Sequence, residues 1–440
     1  MRLDYVLIYP GALVAIASVV ALMVRRGLPD QWSWSVAGLG VVLVAARLVA
    51  SCLLPLIDAH DIGIFWETGY VVWAGLDPYA APGFFDHPFL NPPSALPLFA
   101  AFATLPLAVL VPAWKAFVSL AALGLIPLAA RALASQADPQ PGPGDPPPLR
   151  GGEVGCLAAV FAISDTATAD MQLGQLGCLT ALALTAAVWA QGRRRPILAG
   201  LCLAVATFKV GTMLPVLLLL FPRRADLRSW VALIVAVAAL CLLPGHVSEF
   251  PTRLGEMLTH LRELSGPGQP NDITFAGPQA VSIVGFEHTA YRLGIRDLRM
   301  ASMAQFAALG LLGASLAAVV WRSRVPRPAA CALVMLYAFV FLYHRVYDAL
   351  VLAIPLTYAV ALARSARGWR RVASGLASLA MLTILYMRLK PMQAASDWST
   401  RHAMAGRLVQ AIVLPYATWA VLLSMACLLA ATWKAGRPRP

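Results

Sequence analysis

The sequence predicts an all-α, polytopic membrane protein, and three observations carry that expectation. Of 440 residues, 60% are hydrophobic and 12% are charged, against about 45–50% apolar and about 25% charged in a soluble domain. Apolar runs recur from one end of the chain to the other and leave no stretch for a separate soluble domain of ordinary size. The basic residues are also unevenly spread. A net charge of +13 on a soluble protein would suggest nucleic acid, but in a membrane protein excess Lys and Arg marks cytoplasmic loops. No nucleic-acid partner is expected.

Taken in order, spans are expected near 5–24, 32–56, 112–134, 153–170, 174–191, 229–244, 300–321, 328–343, 349–364, 372–388 and 407–432. Residues 1–440 then form a single integral membrane domain, a transmembrane helical bundle of about 11–13 spans with re-entrant or short helices. The run 5–24 follows Arg2 and lacks a small-x-small cleavage site, so it reads as a retained span. The run 196–221 is too short for two crossings and is interrupted at Phe208-Lys209-Val210-Gly211. It reads as two half-helices meeting near the outer side and returning to one face. The run 92–111 contains Pro92, Pro93, Pro97 and Pro106 and reads as a second re-entrant or surface hairpin.

Loops 25–31, 131–153, 192–195, 222–228, 322–327, 364–371 and the tail 433–440 hold 20 of the 34 Lys/Arg but 5 of the 21 Asp/Glu. By the positive-inside rule these loops are cytoplasmic, with the N-terminus outside and the C-terminus inside. The segment 135–152 contains Pro139–Pro148, a stiff solvated linker without chemistry. Two outer loops are long, 57–111 and 245–299, and loops of this length are usually functional. The second carries amphipathic stretches near 249–264 and 286–299, suited to the interface plane. The seven cysteines form no CxxC pair and read as small buried hydrophobes.

Residues capable of acid–base work gather on the outer side. The first outer loop contains Asp58, His60 and Asp61 and then Asp77-Pro78-Tyr79. Taken alone, Asp58 or Asp61 is also what a solvated helix-end charge looks like. Tyr343-His344-Arg345-Val346-Tyr347-Asp348 is a dense polar junction between two apolar runs, which a capped turn with an Arg345–Asp348 pair would also explain. Lys209 stands at the tip of the interrupted run, where snorkelling of its ammonium is the plainer account, and it is the one charge expected at mid-depth. Gln172-Leu173-Gly174-Gln175 follows Asp170 and could be a simple polar turn. No Walker loop, GxGxxG, HExxH or zinc spacing occurs. Two Asp and one His in a loop are a weak metal signal, so no cofactor or metal is expected.

These residues occur in a recognisable order. Asp61 is followed by Phe65, then Gly75-x-Asp77-Pro78-Tyr79, Pro92-Pro93, Gly174-Gln175, Lys209 before a proline-bearing apolar run, and His344 closing a late span. Over residues 55 to 360 the chain resembles the family-87 glycosyltransferases of the GT-C superfamily, enzymes of the polyprenyl-phosphate-mannose type. It departs from their pattern in having Asn91-Pro92-Pro93 for Tyr-Pro-Pro and Gly174-Gln175-Leu176-Gly177 for Gly-Gln-x-Asn.

The resemblance implies a sugar donor on a polyprenyl phosphate, a lipid or glycan acceptor from the envelope, and a site on the outer face of a bacterial-type plasma membrane. It also implies inversion. Asp61 would be the general base, with Asp58 as the fallback and His344 beside it. Lys209, Arg345 and His344 would bind the donor phosphate, and His60, Tyr79, Gln175, Tyr347 and Asp348 would bind substrate. The phosphate leaving group needs cations and no general acid, so one carboxylate suffices where glycoside hydrolases use two. The aromatic residues Phe65, Trp66, Trp73, Tyr79, Phe84 and Phe85 would form a wall for the acceptor or an interfacial belt. A secondary transporter or lipid-linked-sugar flippase is the alternative, and it would require inverted repeats or charges at mid-membrane.

Overall fold

The computed structural model describes residues 29–53, 60–80, 89–137, 146–223, 227–242, 249–266, 268–274, 279–322, 324–342, 344–386 and 389–433, with Ser18 and Gly277 as single positions. The expected span 5–24 (Ser18 apart), Asp58, Phe84, Phe85 and Tyr343 lie outside the described residues, as does most of the Pro-rich linker. Among the described residues the chain is an all-α bundle with one ribbon of two residues per strand. Five of its described helices are long and apolar enough to cross a membrane, or seven if each of two bent pairs counts as one.

In chain order, α1 (Asp30–Leu53) is followed by α2 (His60–Trp73), α3 (Leu96–Phe102) and α4 (Leu107–Gln136). The segment expected as a hairpin over 92–111 is a 3-10 turn and the short helix α3, followed by a turn into α4 across which the Phe102 and Trp114 rings lie 4.9 Å apart. Its prolines all stand at helix starts: Pro93 opens a 3-10 turn, Pro97 lies in the first turn of α3, and Pro106 is the N-cap of α4. A first-turn N–H has no intrahelical partner, so a proline there forfeits no hydrogen bond. The last five residues of the segment, 107–111, begin the long helix α4.

Next come α5 (Gly151–Ala162) and α6 (Asp165–Leu173), one expected span that bends by 55° between them. Ser164 N-caps α6, its Oγ accepting from Ala167 N at 3.2 Å. Across the break, Arg47 of α1 donates to Ala162 O at 2.8 Å and to Thr168 Oγ1, satisfying a carbonyl that the bend leaves without its helical partner.

Helix α7 (Gly177–Gly192) leads to α8 (Pro196–Ala206), a 3-10 turn at Thr207–Lys209, and α9 (Val210–Leu219). By length and composition, Pro196–Leu219 could be one crossing. A straight 24-residue helix would separate its ends by about 36 Å. Instead Gln191, in the last turn of α7, donates to Phe221 O at 3.3 Å and lies 3.5 Å from Leu220 O. Both ends of the segment therefore sit beside the end of α7. Lys209 has the non-helical dihedrals φ −130° and ψ 80°, and the chain reverses there. The segment is a helical hairpin with Lys209 at its tip.

The remaining helices are α10 (Leu227–Leu242), α11 (Phe250–Glu263), α12 (Phe286–Arg292), α13 (Leu298–Trp321), α14 (Arg327–Val340), α15 (Ala353–Ser365), α16 (Gly368–Tyr386), α17 (Leu389–Arg401), α18 (Ala403–Leu408) and α19 (Tyr416–Thr432). Strands β1 (Ile283–Val284) and β2 (His344–Arg345) pair antiparallel, Ile283 opposite Arg345 and Val284 opposite His344. Leu342 takes a left-handed φ of 61° just before β2, at a cost of about 1–2 kcal/mol. It turns the chain out of α14 and into the ribbon.

Three of the basic segments, around Arg150, around Arg364 and Arg370, and at the end of the last helix, meet at one end of this bundle. Arg364 pairs with the buried Glu153 and donates to Pro148 O at 3.0 Å. Arg150 reaches Glu153 at 3.1 Å and Asp30 at 3.8 Å, and Arg370 donates to Ala431 O at 2.6 Å. The candidate site lies at the opposite end. Lys209 is not the only charge inside the apolar helices, as the sequence suggested. Lys115 is buried in α4, donating to Ser51 O at 2.7 Å, and Arg47 is bound as described. Both cations are held by backbone carbonyls of neighbouring helices, a packing arrangement that requires no transported ion. The cysteines are free thiols.

Candidate active site

Asp61 sits in the first turn of α2, where the helix dipole favours a carboxylate. Gln175 Nε2 donates to Asp61 Oδ2 from the turn between α6 and α7. That contact depends on Gly174, which ends α6 with φ 77° and passes so near α2 that a Cβ would lie 2.7 Å from Ile62 Cβ and 3.1 Å from Ile62 N. Both the left-handed backbone and the close approach call for glycine. Burial raises the Asp61 carboxyl above the ordinary carboxylate range. The Gln175 hydrogen bond and the charges of His60, Arg345 and Lys209 partly offset that rise. The two cations are thus within Coulombic reach of the acid, although they come from sequence positions far from it.

Lys209 reaches the site from the hairpin tip. Its ammonium pairs with Asp348 and lies 5.1 Å from the centroid of the Tyr347 ring. Thr207 Oγ1, two residues earlier, is hydrogen bonded at 3.0 Å to Ser94 Oγ in the 3-10 turn before α3. The 344–348 junction does not contain the Arg345–Asp348 side-chain pair considered from sequence. Asp348 takes Lys209, the Arg345 backbone N–H at 3.2 Å and His344 Nδ1 at 3.4 Å. The Arg345 side chain turns away to donate to Pro270 O at 3.0 Å and Asn271 Oδ1 at 2.8 Å. It thereby anchors the loop after α11. His344 Nε2 is buried without a hydrogen-bond partner among the described residues and faces Gly211, where a Cβ would lie 3.6 Å away.

Of the residues expected to form the site, Asp61, His60, Gln175, Lys209, His344, Arg345, Tyr347 and Asp348 come together. Asp348, expected to bind substrate, has its carboxylate occupied by Lys209, the Arg345 backbone N–H and His344. Tyr79 departs from expectation. It is buried against Phe89, with ring centroids 5.1 Å apart, and its hydroxyl donates to Asn91 O at 2.8 Å. Of the described aromatic residues expected to form a wall, Phe65 is buried and stacks on Phe99 at 4.4 Å. Trp66 and Trp73 donate to Leu105 O and Ala100 O at 2.8 and 2.7 Å, strapping α2 to α3 and the turn that follows it. A large apolar ring gains more from core packing than from lining a polar site.

Sequence reasoning missed Asp170, which is fully buried in the last turn of α6. It accepts from Gly177 N at 3.1 Å and Cys178 N at 3.0 Å, and lies within Coulombic reach of Lys209. The only signal was an acid four residues ahead of a glycine. Among the described residues no three His, Cys, Asp or Glu side chains group closely enough to hold a metal ion.

The arrangement offers a base of raised affinity for protons, the ammonium of Lys209 and the guanidinium of Arg345 within Coulombic reach of it, and an imidazole nitrogen without a partner among the described residues. Such a set can accept a hydroxyl proton and bind an anionic leaving group. No curated protein matches the chain. The family model for glycosyltransferase family 87 matches residues 89–343. Gln175 and Lys209 fall inside that match, Asp61 precedes it and His344 begins just beyond it, so the grouping of these four rests on geometry. The match covers more than half of the chain, and the protein belongs to glycosyltransferase family 87.

Proposed function

We propose that this glycosyltransferase moves a sugar, mannose or a related hexose or pentose, from a polyprenyl-phosphate donor to an envelope lipid or glycan. The observation that carries the reading is the convergence of Asp61 with Lys209 and Arg345 at the end of the bundle opposite the basic loops. That separation supports a cytoplasmic basic end and an external site in a bacterial-type plasma membrane. In the proposed step the acceptor oxygen attacks the anomeric carbon and its proton passes to the Asp61 carboxylate. The bond from that carbon to the phosphate oxygen breaks with its electrons, and polyprenyl phosphate leaves as a monoester. Lys209, Arg345 and His344 hold the extra charge. Displacement from the opposite face inverts the anomeric centre. The GT-C relationship, the mannosyl donor and the roles of His60 and Tyr347 as sugar-binding groups belong to the same proposal.

The test uses the purified protein in lipid nanodiscs with labelled polyprenyl-phosphate mannose and an extract of membrane lipids. A labelled lipid product is expected, and Asp61→Asn should lower turnover by about 10²–10⁴-fold, the usual contribution of a general base. Alanine at Lys209, Arg345 or His344 should cost roughly one to two decades in rate or donor affinity, as loss of one charged hydrogen bond does. Near-normal turnover of Asp61→Asn removes Asp61 from the role. Transfer from a nucleotide sugar but not from the polyprenyl phosphate would overturn the donor assignment.

A further inference from the structure

We propose that Asp170 is a positioning residue for the reaction, setting the Asp61 carboxylate through the 174–178 turn and tying that turn to Lys209. The inference rests on the functional reading above only for the reaction, not for the coupling itself. Asp170 holds four of the five backbone amides from 174 to 178. Its backbone carbonyl accepts from Gly174 N at 3.1 Å and Gln175 N at 3.0 Å, and its carboxylate accepts from Gly177 N at 3.1 Å and Cys178 N at 3.0 Å.

The last two are first-turn amides of α7, which have no intrahelical acceptor and would otherwise be buried unpaired. Between the two pairs of bonds the chain is left with little freedom, and this is where it presents Gln175 to Asp61. Gly177 packs tightly against the same acid: a Cβ there would lie 2.5 Å from Asp170 Oδ1. Asp170 is fully buried and the Lys209 ammonium is within Coulombic reach, the same ammonium that pairs with Asp348. One buried carboxylate therefore connects the base, through Gln175, with the hairpin cation. A polar turn that needed only to end α6 would require the Gly174 backbone and no buried acid.

The experiment follows the proton on Asp61. An infrared titration of the full-length protein in nanodiscs, with the Asp61 band assigned by difference against Asp61→Asn, gives its midpoint without any substrate. The groups facing Asp61 are Gln175, His60, Arg345 and Lys209. Of these Gln175 is carried on the turn that Asp170 holds by hydrogen bonds, whereas Lys209 lies within its Coulombic reach without a hydrogen bond to it. In Asp170→Asn one acceptor oxygen is replaced by a donor, the turn loosens and the Gln175 bond weakens. The midpoint should rise by roughly one pH unit or more, since that bond favours the charged form. Gln175→Ala should give a similar rise, and the double variant no further one.

Gly177→Ala, which keeps the acid but displaces its carboxyl group, should move the midpoint the same way and serves if Asp170→Asn does not fold. An unmoved midpoint in a folded variant, or additive shifts in the double variant, overturns the proposal. In parallel, the acidic limb of transfer from polyprenyl-phosphate mannose should move up with the midpoint. A shifted midpoint with no transfer in the wild-type protein would instead refute the donor reading and leave the coupling standing.

Discussion

Removing the charge of Lys209 separates what the hairpin cation does for folding from what it does for turnover. The Lys209 and Asp348 side chains retain 16% and 9% of their surface, so solvent screens their pairing little. In Lys209→Met the Asp348 carboxylate stays buried with only the Arg345 N–H at 3.2 Å and the longer contact to His344 at 3.4 Å. Breaking a buried pair from one side costs about 3–5 kcal/mol, because the orphaned charge remains desolvated. With an unfolding entropy of about 2.1 cal/mol/K per residue, roughly 0.9 kcal/mol/K for this chain, the midpoint should fall by roughly 3–5 °C. Removing both charges in Lys209→Met/Asp348→Leu leaves no orphan and should recover most of that loss, since apolar replacement of a buried pair is often neutral or stabilising. Thermal unfolding in one detergent, with transfer assayed on the same samples, makes the comparison. Stability should return in the double variant and activity should not. A double variant as unstable as the single one refutes the orphan-charge argument, and one that transfers normally removes Lys209 from the phosphate site.

Two further outcomes follow from single residues. Tyr79→Phe loses one hydrogen bond to Asn91 O and should lower stability by about 1 kcal/mol while kcat and KM stay near wild type; a substantial rise in acceptor KM would return Tyr79 to the substrate site. His288 is buried beside Arg292, whose Nε donates to His288 Nε2 at 2.9 Å, and burial followed by the neighbouring guanidinium lowers its pKa to about 3. The folded value lies below the ordinary 6.5, so the unfolded chain binds the extra proton first. Stability should decline as pH falls from about 6.5 towards 3, by at most about 1.36 kcal/mol per pH unit, and a scan that keeps its full slope in His288→Gln would contradict this.

The sequence made the bundle legible because apolar runs and basic loops are properties of segments. It made much of the site legible because polar residues are conspicuous in so apolar a chain, as at His344–Asp348 and Lys209. What escaped was set by partners remote in sequence. Asp348 had an obvious neighbour three residues away in Arg345, yet it pairs with Lys209, 139 positions distant. Lys115 and Arg47 vanish into the mean hydropathy of their helices, and only the carbonyls of Ser51 and Ala162 explain why they are tolerated. Prolines at 92–106 look like a broken run until the helix starts are known. A ribbon of two residues per strand is too short to leave any alternation, although it fixes the place of Arg345. Asp170 spends its carboxylate on main-chain amides, and a main-chain amide has no letter in the sequence.

The hairpin that carries Lys209 stands on two feet at the basic end of the molecule and delivers a charge at the other. It is a strut of set length. One residue inserted in either arm would advance the tip by about 1.5 Å and swing it by about 100°, enough to take the ammonium off Asp348 and turn it from Tyr347. Length variation in this chain should accordingly be borne by the loops at the basic end, while the two arms between Pro196 and Leu219 keep a constant residue count. In this protein the spacing of an apolar segment, which binds nothing itself, fixes where a reacting group can be held.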